Sequence, residues 1–260
     1  PTRTEAAIFR QYLGEMAAEL GPVETLVDLG AGNCEKAARL LAAFSVQRYV
    51  AVDISADYLR ESLERLQYEH PQRQMLGIGL DFSQTLALPA EVGSGPRTLF
   101  YPGSSIGNFT PVEALVFLRQ VHAASQGGQL LIGVDLVKPD SVLVPAYDDA
   151  LGVTAAFNRN LLLHLNRLID SDFALADWRH IGLFNHAESR IEMHLEAVRD
   201  CTARWSSGER HFRAGERIHS ENSYKWRAQD FADLLRAAGF SNLRQWSDER
   251  NWFAVFAARA

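Results

Sequence analysis

Residues 25–55 read TLVDLGAGNCEKAARLLAAFSVQRYVAVDIS, and this stretch decides the fold. Its short apolar start is followed by Gly30 and Gly32, which allow a tight turn and leave room for a ligand against the backbone. Residues 34–44 then carry apolar side chains at helical spacing, and residues 49–52 form a second apolar run. This order predicts a βαβ unit with a ligand site at its glycine turn.

Asp53 ends the second predicted strand, where an acidic side chain commonly holds the ribose hydroxyls of a nucleoside cofactor. A dinucleotide fingerprint also has a third glycine where the helix packs on the strand, and Glu35 occupies that place here. Because the turn is not built for a pyrophosphate, S-adenosylmethionine (SAM) fits the pattern better than NAD. A βαβ turn that binds no ligand, within a Rossmann-like domain, is the alternative interpretation.

The composition argues against several classes of function. With 260 residues, 47% of them hydrophobic, the chain can form one large core or a core with a sizeable insertion. The net charge of -6 and the lack of a basic run argue against a nucleic-acid partner, and no apolar run is long enough for a membrane span. Cys34 and Cys201 lie far apart and the histidines lack paired ligand spacing, so we expect a reduced, cytoplasmic protein without a metal site.

Apolar periodicity predicts the rest of an α/β, Rossmann-like core. Helices are predicted at 4–20, 55–68, 110–126 and 227–239, and strands at 75–80, 98–101, 129–136, 240–246 and 251–257. The last two strands resemble the terminal antiparallel hairpin of SAM-dependent methyltransferases.

The alternation of strands and helices stops between residues 138 and 223. The patterns there predict one or two helices within 146–168, a hairpin of 181–185 with 190–198, and a strand at 211–218. We therefore expect a SAM-binding core formed by 1–137 and 224–260, and an inserted α+β substrate-binding domain at 138–223.

Polar and aromatic residues follow two further predicted strands at the same edge of the sheet. Asp81 and Phe82 suit an adenine, because the carboxylate accepts from the exocyclic amine and the ring packs on the base. Gly103 lies in a loop that allows close approach to a cofactor, and Asn108 offers a donor and an acceptor to a polar substrate. The alternatives are a turn-capping role for Asp81 and a loop role for Asn108, bonded to its own backbone.

Five stretches together resemble the histidine-specific methyltransferase family that makes trimethylhistidine (hercynine), the precursor of ergothioneine. They are PTRTEAAI at 1–8, VDLGAGNCEK at 27–36, FYPGSSIGNFTP at 100–111, AYDDALGVTAAFNRNLL at 146–162 and RIHSENSYKW at 217–226. The resemblance covers nearly the whole chain, and the fourth stretch is not a general feature of methyltransferases.

This resemblance implies SAM-dependent methylation of the α-amino group of L-histidine, and it implies roles for individual residues. The implied SAM-binding residues are Gly30, Lys36, Asp53, Asp81 and Phe82, to which the glycines of the two close-approach loops, Gly32 and Gly103, are added. Asn108 and Tyr147 would hold the α-amino and α-carboxylate groups and aim the nitrogen at the methyl group. Glu221 and Ser223 would line the bottom of the pocket for the histidine side chain, with Met193 beside it.

The implied pocket makes chemical sense for an imidazole. Glu221 and Ser223 alternate on an extended segment, so both can face one ligand, and a carboxylate plus a hydroxyl can hold both ring nitrogens. A tryptophan derivative is the alternative amino acid substrate, because a related fungal branch that resembles this family acts on prenylated tryptophan. Glu221 and Ser223 favour imidazole over indole, since an indole offers one N–H donor and no acceptor. Further alternatives are a solvent-facing polar strand at these two positions, core packing for Tyr147 and Met193, and a non-catalytic SAM-binding protein.

The family carries a further N-terminal segment ahead of the TRTE motif, and its tyrosines complete the amino-acid pocket. This sequence begins with Pro1, directly before that motif. We therefore expect either a trimmed chain of low activity or a pocket that is open on one side. A monomer with a small amino acid as its partner is expected.

Overall fold

The computed structural model describes residues 1–260, which divide into two compact units. Pro1–Leu136 with Trp226–Ala260 form the first, here the core unit, and Val137–Lys225 form the second, here the inserted unit. The domain boundaries predicted from the sequence lie within two residues of this division. The role of the inserted unit in substrate binding stays a prediction.

Seven helices and twelve strands make up the two units. The helices are α1 (Thr2–Leu20), α2 (Glu35–Leu41), α3 (Ala56–Glu69), α4 (Pro111–Ser125), α5 (Asp140–Tyr147), α6 (Val153–Leu168) and α7 (Ala228–Ala237). The strands are β1 (Thr25–Leu29), β2 (Arg48–Asp53), β3 (Gln74–Gly79), β4 (Thr98–Tyr101), β5 (Gln129–Asp135), β6 (Trp178–Asn185), β7 (Arg190–Ala197), β8 (Cys201–Trp205), β9 (Gly208–Phe212), β10 (Arg217–Tyr224), β11 (Ser241–Ser247) and β12 (Phe253–Arg259). No helix combines the length and the apolar character needed to cross a membrane.

A seven-stranded sheet with the order β11-β12-β5-β4-β1-β2-β3 forms the centre of the core unit. Strands β1 to β5 are parallel, and β12 and β11 add an antiparallel edge. Every residue of β1 and β4 is buried, as expected for parallel strands covered on both faces. The strand order reverses between β1 and β4, so the carboxyl ends of these two strands mark the place where open α/β sheets bind ligands.

Local sequence signals explain the bounds of two helices in the core unit. At α4 the Thr110 hydroxyl accepts from the Glu113 backbone N–H, and the Glu113 carboxylate accepts from the Thr110 N–H, so a capping box starts the helix. The helix predicted at 34–44 is shorter than expected. Cys34 has a left-handed backbone with φ 60°, so α2 starts only at Glu35.

The inserted unit contains α5, α6, a three-stranded antiparallel sheet in the order β10-β7-β6, and the two-stranded pair β8-β9. Leu162 of α6 packs with Trp178 and Leu195 of the larger sheet in a small apolar cluster. The single strand predicted at 211–218 is wrong. Strand β9 ends at Phe212 and β10 begins at Arg217, because a turn between them is closed by the Glu216 N–H donating to the Arg213 carbonyl.

Glu5 ties α1 to two other parts of the core unit. Its side chain is only 2% exposed, and its carboxylate accepts from Lys36 Nζ at 2.8 Å and from the Gly103 backbone N–H at 2.7 Å. No local sequence pattern singles out Glu5, since both partners are distant in the chain. A buried carboxylate that bridges α1, α2 and the loop after β4 fixes these elements relative to one another.

Replacing Glu5 with Gln is expected to lower the free energy of unfolding by about 1–3 kcal/mol, because the charge-assisted bonds to Lys36 and Gly103 are weakened in a buried setting. Urea unfolding followed by circular dichroism measures the change. Glu61→Gln on the exposed side of α3 is the matched control and is expected to be neutral. Equal stability of both variants would show that the Glu5 bridge does not stabilise the fold.

Candidate active site

A cavity of about 400 Å³ lies at the carboxyl ends of the parallel strands of the core unit. Its lining includes five residues selected from the sequence: Gly30, Asp53, Asp81, Phe82 and Asn108. They lie at or after the ends of β1, β2, β3 and β4, which end at the same edge of the sheet. The structure therefore brings these residues together at the ligand-binding edge of the fold.

The glycine turn orients Asp53. Gly30 has φ 72° and donates its N–H to the Val52 carbonyl at 2.8 Å, a conformation that a residue with a side chain rarely adopts. The Gly32 N–H donates to Asp53 Oδ2 at 2.9 Å and the Ser55 N–H donates to Oδ1 at 3.0 Å. Each carboxylate oxygen accepts from one of these backbone groups and keeps lone-pair capacity for a ligand hydroxyl.

Asp81 and Phe82 form the part of the cavity that suits a flat base. The Ser83 hydroxyl and backbone N–H hold the pKa of Asp81 below its usual range, so the carboxylate is ionised and accepts hydrogen bonds. Phe82 packs against the rings of Tyr101 and Phe117 at centroid distances of 6.0 and 5.9 Å. These contacts fix the Phe82 ring as a wall of the cavity.

Three of the predicted cofactor residues do not line this cavity. Gly32 acts through Asp53, as described above. Lys36 is paired with Glu5 and lines a neighbouring cavity of about 420 Å³ together with residues of α1 and α2. Gly103 has φ 84°, and a Cβ atom there would lie 2.8 Å from Lys36 Nζ, so Gly103 allows the lysine to approach the loop.

Asp28 is completely buried near the end of β1. The Tyr49 hydroxyl donates to its Oδ2 at 2.7 Å, while Oδ1 has no hydrogen-bond partner in the protein. Burial raises the pKa of Asp28 to about 7, against the opposing effects of the Tyr49 hydrogen bond and of Lys36. The folded protein therefore holds a proton on Asp28 at pH values where an unfolded chain has released it.

The raised pKa of Asp28 makes stability depend on pH. Between about pH 4 and the folded pKa of about 7, the folded state binds more protons than the unfolded state, so stability falls as the pH rises. Asp28→Asn is expected to remove this pH dependence. The free energy of unfolding of the variant, relative to that of the parent chain, should therefore rise by up to about 1 kcal/mol per pH unit between about pH 4 and about pH 7. Urea unfolding at pH 5 and pH 8 measures this. The exposed control Asp57→Asn should change the free energy of unfolding equally at both pH values. An equal change at both pH values in Asp28→Asn would contradict the raised pKa of Asp28.

In the inserted unit, a β-bulge decides which side chains share a face. Glu221 lies opposite Met193 and Ser223 lies opposite Ile191 in the antiparallel pair of β10 with β7. The register shifts just before Glu221, where Ser220 is the extra residue and donates its hydroxyl to the Met193 carbonyl at 2.9 Å. Because paired residues share a face, the bulge places Glu221 and Ser223 on the Met193 side of the sheet.

Tyr147 joins this group from the end of α5. Its backbone carbonyl lies 2.7 Å from His180 Nε2, and Gly182 lets the end of α5 approach β6, since a Cβ atom there would lie 3.1 Å from the same carbonyl oxygen. The Tyr147 hydroxyl lies 2.9 Å from Ser223 Oγ. The inserted unit thus brings together Tyr147 and Ser223, two of the residues selected from the sequence.

Lys225 completes this group and is not among the site residues predicted from the sequence. Its Nζ donates to the Tyr147 hydroxyl and to Ser223 Oγ, both at 2.8 Å, and it lies 4.8 Å from the Tyr147 ring centroid. Burial raises the pKa of the half-buried Glu221, and the Lys225 charge opposes that rise. The position of Lys225 two residues after Ser223 is the only signal in the sequence that could have selected it.

A second polar cluster lies on the other face of the same sheet. His194 Nε2 lies 3.0 Å from Glu192 Oε2, the His194 and His219 rings stack at 4.6 Å, and one donor atom from each of the three residues lies within 4.8 Å of the others. The remaining oxygen of Glu192 is bound by Arg190 at 2.8 Å. This charge pairing satisfies the carboxylate within the protein, and the expectation of no metal site stays a prediction.

Comparisons with known proteins agree with these observations. The family described as histidine-specific methyltransferase, SAM-dependent, matches residues 1–260. Histidine N-alpha-methyltransferases of Mycolicibacterium smegmatis and Mycobacterium tuberculosis are 38% and 39% identical, each over 99% of this chain and 82% of the relative. A SAM-dependent methyltransferase structure from Clostridium acetobutylicum superposes with a TM-score of 0.56 at 10% identity, covering 97% of this chain and 91% of that one.

These comparisons confirm the Rossmann-like class I methyltransferase fold, the methyltransferase activity and SAM as the cofactor. The resemblance found in the five sequence stretches is confirmed as well. The chain belongs to the family of histidine-specific, SAM-dependent methyltransferases.

Proposed function

We propose that this protein transfers methyl groups from SAM to the α-amino nitrogen of L-histidine and releases hercynine, for ergothioneine biosynthesis. The observation that carries the proposal is the β-bulge at Ser220, which places Glu221 and Ser223 on one face beside Met193. A carboxylate and a hydroxyl on one face match the N–H donor and the lone-pair acceptor of a neutral imidazole. The mycobacterial relatives carry the name of the same activity.

In the proposed complex, the core unit holds the cofactor. Asp53 accepts from the ribose hydroxyls, because the Gly32 and Ser55 N–H groups already orient its carboxylate. Asp81 accepts from the adenine amine, and the Phe82 ring packs on the base. SAM supplies an activated methyl group on its sulfonium, so the protein contributes mainly position.

In this proposal, the amino acid is held by its α-amino and α-carboxylate groups and by its side chain. Asn108 and Tyr147 bind the α-amino and α-carboxylate groups and aim the nitrogen lone pair along the line of displacement. Glu221 accepts from one imidazole nitrogen and Ser223 donates to the other. A tryptophan derivative, the alternative substrate, offers a single ring N–H, which can pair with Glu221, and no ring lone pair for the Ser223 hydroxyl.

The reacting nitrogen must be neutral. A free α-amino group titrates at roughly 7.7–8.0, so the neutral form is accessible near neutral pH without a strong base. The nitrogen forms a bond to the methyl carbon while the carbon–sulfur bond breaks, and the sulfonium leaves as neutral S-adenosylhomocysteine. The methylated nitrogen then releases a proton, with help from Tyr147, before the next round, and the third round ends in a trimethylammonium.

The test is a methylation assay with SAM and L-histidine, read by mass spectrometry for mono-, di- and trimethylated histidine. L-tryptophan tests the alternative substrate, and histamine, which lacks the α-carboxylate, tests whether that group is recognised. Trimethylhistidine as the end product, with no product from tryptophan and little from histamine, is expected. Methylation of tryptophan in place of histidine would contradict the substrate, and SAM binding without any methylated amino acid would favour a non-catalytic protein.

A further inference from the structure

The cofactor cavity accounts for only part of SAM. Its lining includes the carboxylates of Asp53 and Asp81 and the Phe82 ring, which suit the ribose and the adenine, but no basic side chain. The methionine part of SAM ends in an α-amino and an α-carboxylate group, and a carboxylate is held most strongly by a cationic donor. Such a donor has to come from outside the lining of this cavity.

Lys36 belongs to a neighbouring cavity that shares the glycine turn with the cofactor cavity. Gly30 lines the cofactor cavity, while Asn33 and Lys36 line the neighbouring cavity of about 420 Å³. A Cβ atom at Gly103 would lie 2.8 Å from Lys36 Nζ, and Ser105, two residues further along that loop, lines the cofactor cavity. The Lys36 ammonium is therefore placed beside two segments that also line the cofactor cavity.

The Lys36 ammonium keeps hydrogens for a ligand. It has three hydrogens, and one of them is donated to Glu5 Oε2 at 2.8 Å. No other protein group accepts from this ammonium, and the Lys36 side chain is 40% exposed. Lys36 can therefore bind a carboxylate without giving up its ion pair with Glu5.

Glu5 fixes the position of this ammonium. The Glu5 side chain is buried, and its Oε1 accepts from the Gly103 N–H at 2.7 Å. Gly133 on β5 leaves the space that Oε1 occupies, because a Cβ atom there would overlap it. The carboxylate is therefore a rigid acceptor, whereas a lysine side chain has many rotamers of its own. By holding Lys36 in one place, Glu5 lowers the conformational entropy that cofactor binding would otherwise cost.

We propose that Glu5 is a positioning residue for the cofactor, which holds the Lys36 ammonium ready for the α-carboxylate of the methionine part of SAM. The proposal rests on the placement of the nucleoside part in the proposed complex and does not depend on histidine as the substrate. Helix α1 then belongs to the cofactor site, although it lies before the βαβ unit in the chain and none of its residues lines the cofactor cavity.

Two ligands separate the parts of the cofactor in a binding experiment. S-adenosylhomocysteine carries the amino acid part, whereas 5′-methylthioadenosine has the same nucleoside and thioether but no amino or carboxylate group. In isothermal titrations, we expect Glu5→Gln to weaken the binding of S-adenosylhomocysteine about tenfold, because Lys36 is no longer held. The affinity for 5′-methylthioadenosine should change less than about twofold.

Three results would overturn the proposal. Equal losses for both ligands would show that Glu5 acts only on the fold. Unchanged or tighter binding of S-adenosylhomocysteine by Glu5→Gln would show that Glu5 does not prepare Lys36 for the cofactor. Equal affinity of the parent chain for the two ligands would show that no group holds the amino acid part.

Lys36→Met tests whether Glu5 acts through Lys36. We expect this variant to bind S-adenosylhomocysteine about 30- to 100-fold more weakly and 5′-methylthioadenosine normally, because a charge-assisted bond to the carboxylate is lost. In the double variant, Glu5→Gln should add less than about twofold to this loss, and additive losses would contradict the coupling. Arg39→Met removes the same charge from an exposed side chain three residues later on α2 and should bind S-adenosylhomocysteine normally. An equal loss in Arg39→Met would show that net charge, and not the position of Lys36, controls affinity.

Asp53→Ala distinguishes this proposal from the placement of the nucleoside. It should weaken both ligands, whereas Glu5→Gln should weaken only S-adenosylhomocysteine. A chain that shows this pattern but makes no methylhistidine refutes the histidine substrate and leaves the role of Glu5 standing. If Glu5→Gln does not fold, Glu5→Asp keeps the charge and shortens the side chain by one methylene group. It should show the same selective loss, and binding of S-adenosylhomocysteine equal to that of the parent chain would overturn the proposal.

Discussion

Tyr147→Phe is expected to lower kcat/KM for histidine about 100- to 1000-fold while the affinity for S-adenosylhomocysteine stays the same. The hydroxyl accepts from the buried Lys225 at 2.8 Å and bonds Ser223 at 2.9 Å, so its removal leaves both groups short of a partner. In the proposed site it also aims the reacting nitrogen. Loss of one such contact, together with the loss of one acceptor for a buried ammonium, costs about 3–4 kcal/mol, which corresponds to the stated range.

Steady-state kinetics with histidine, and calorimetry with S-adenosylhomocysteine, measure the two parts of this result. Tyr68→Phe is the matched control, since the Tyr68 side chain is 89% exposed, and it should leave both quantities unchanged. Asn108→Ala is expected to act in the same direction as Tyr147→Phe, because the two residues are proposed to hold the same amino acid groups. Unchanged turnover in both variants would remove both assignments.

Asp53→Ala is expected to weaken the binding of S-adenosylhomocysteine about 100- to 1000-fold. The carboxylate is the proposed acceptor for two ribose hydroxyls, and hydrogen bonds to a charged group contribute about 1.5–3 kcal/mol each. The same carboxylate accepts from the Gly32 and Ser55 N–H groups, so its loss also releases the glycine turn. Both effects act on cofactor binding in the same direction.

Isothermal titration of S-adenosylhomocysteine into the variant measures this loss. Asp57→Ala removes a carboxylate of the same charge only four residues away, on the exposed side of α3, and is expected to bind normally. Binding by Asp53→Ala within about threefold of the parent chain would contradict the ribose assignment. A loss of the same size in Asp57→Ala would show that net charge, and not the Asp53 contact, controls affinity.

The cofactor edge could be predicted from the sequence because its signals are local. Asp53 ends β2 and Asp81 lies two residues after β3. Because parallel strands in one sheet end at the same edge, order along the chain is enough to bring the two side chains together. The glycine turn is likewise encoded at single positions, since Gly30 has a positive φ. Of the predicted cofactor residues, Gly30, Asp53, Asp81 and Phe82 line one cavity.

The inserted unit was predicted less completely, for physical reasons. The sequence patterns predict a strand at 211–218 and an extended segment that carries Glu221 and Ser223. Only the register across β7 reveals that Ser220 is an extra residue. Lys225 and Glu5 were missed because their partners, Tyr147 and Gly103, are distant in the chain. Contacts of this kind depend on tertiary packing, and no local sequence pattern predicts them.

The proposed histidine substrate is tested most directly by calorimetric titration of L-histidine into the protein saturated with S-adenosylhomocysteine, with L-tryptophan titrated in parallel. We predict saturable binding of histidine and at least about tenfold weaker binding of tryptophan, because only an imidazole satisfies both Glu221 and Ser223. Equal or tighter binding of tryptophan, or no binding of histidine to a protein that binds S-adenosylhomocysteine, would contradict the account.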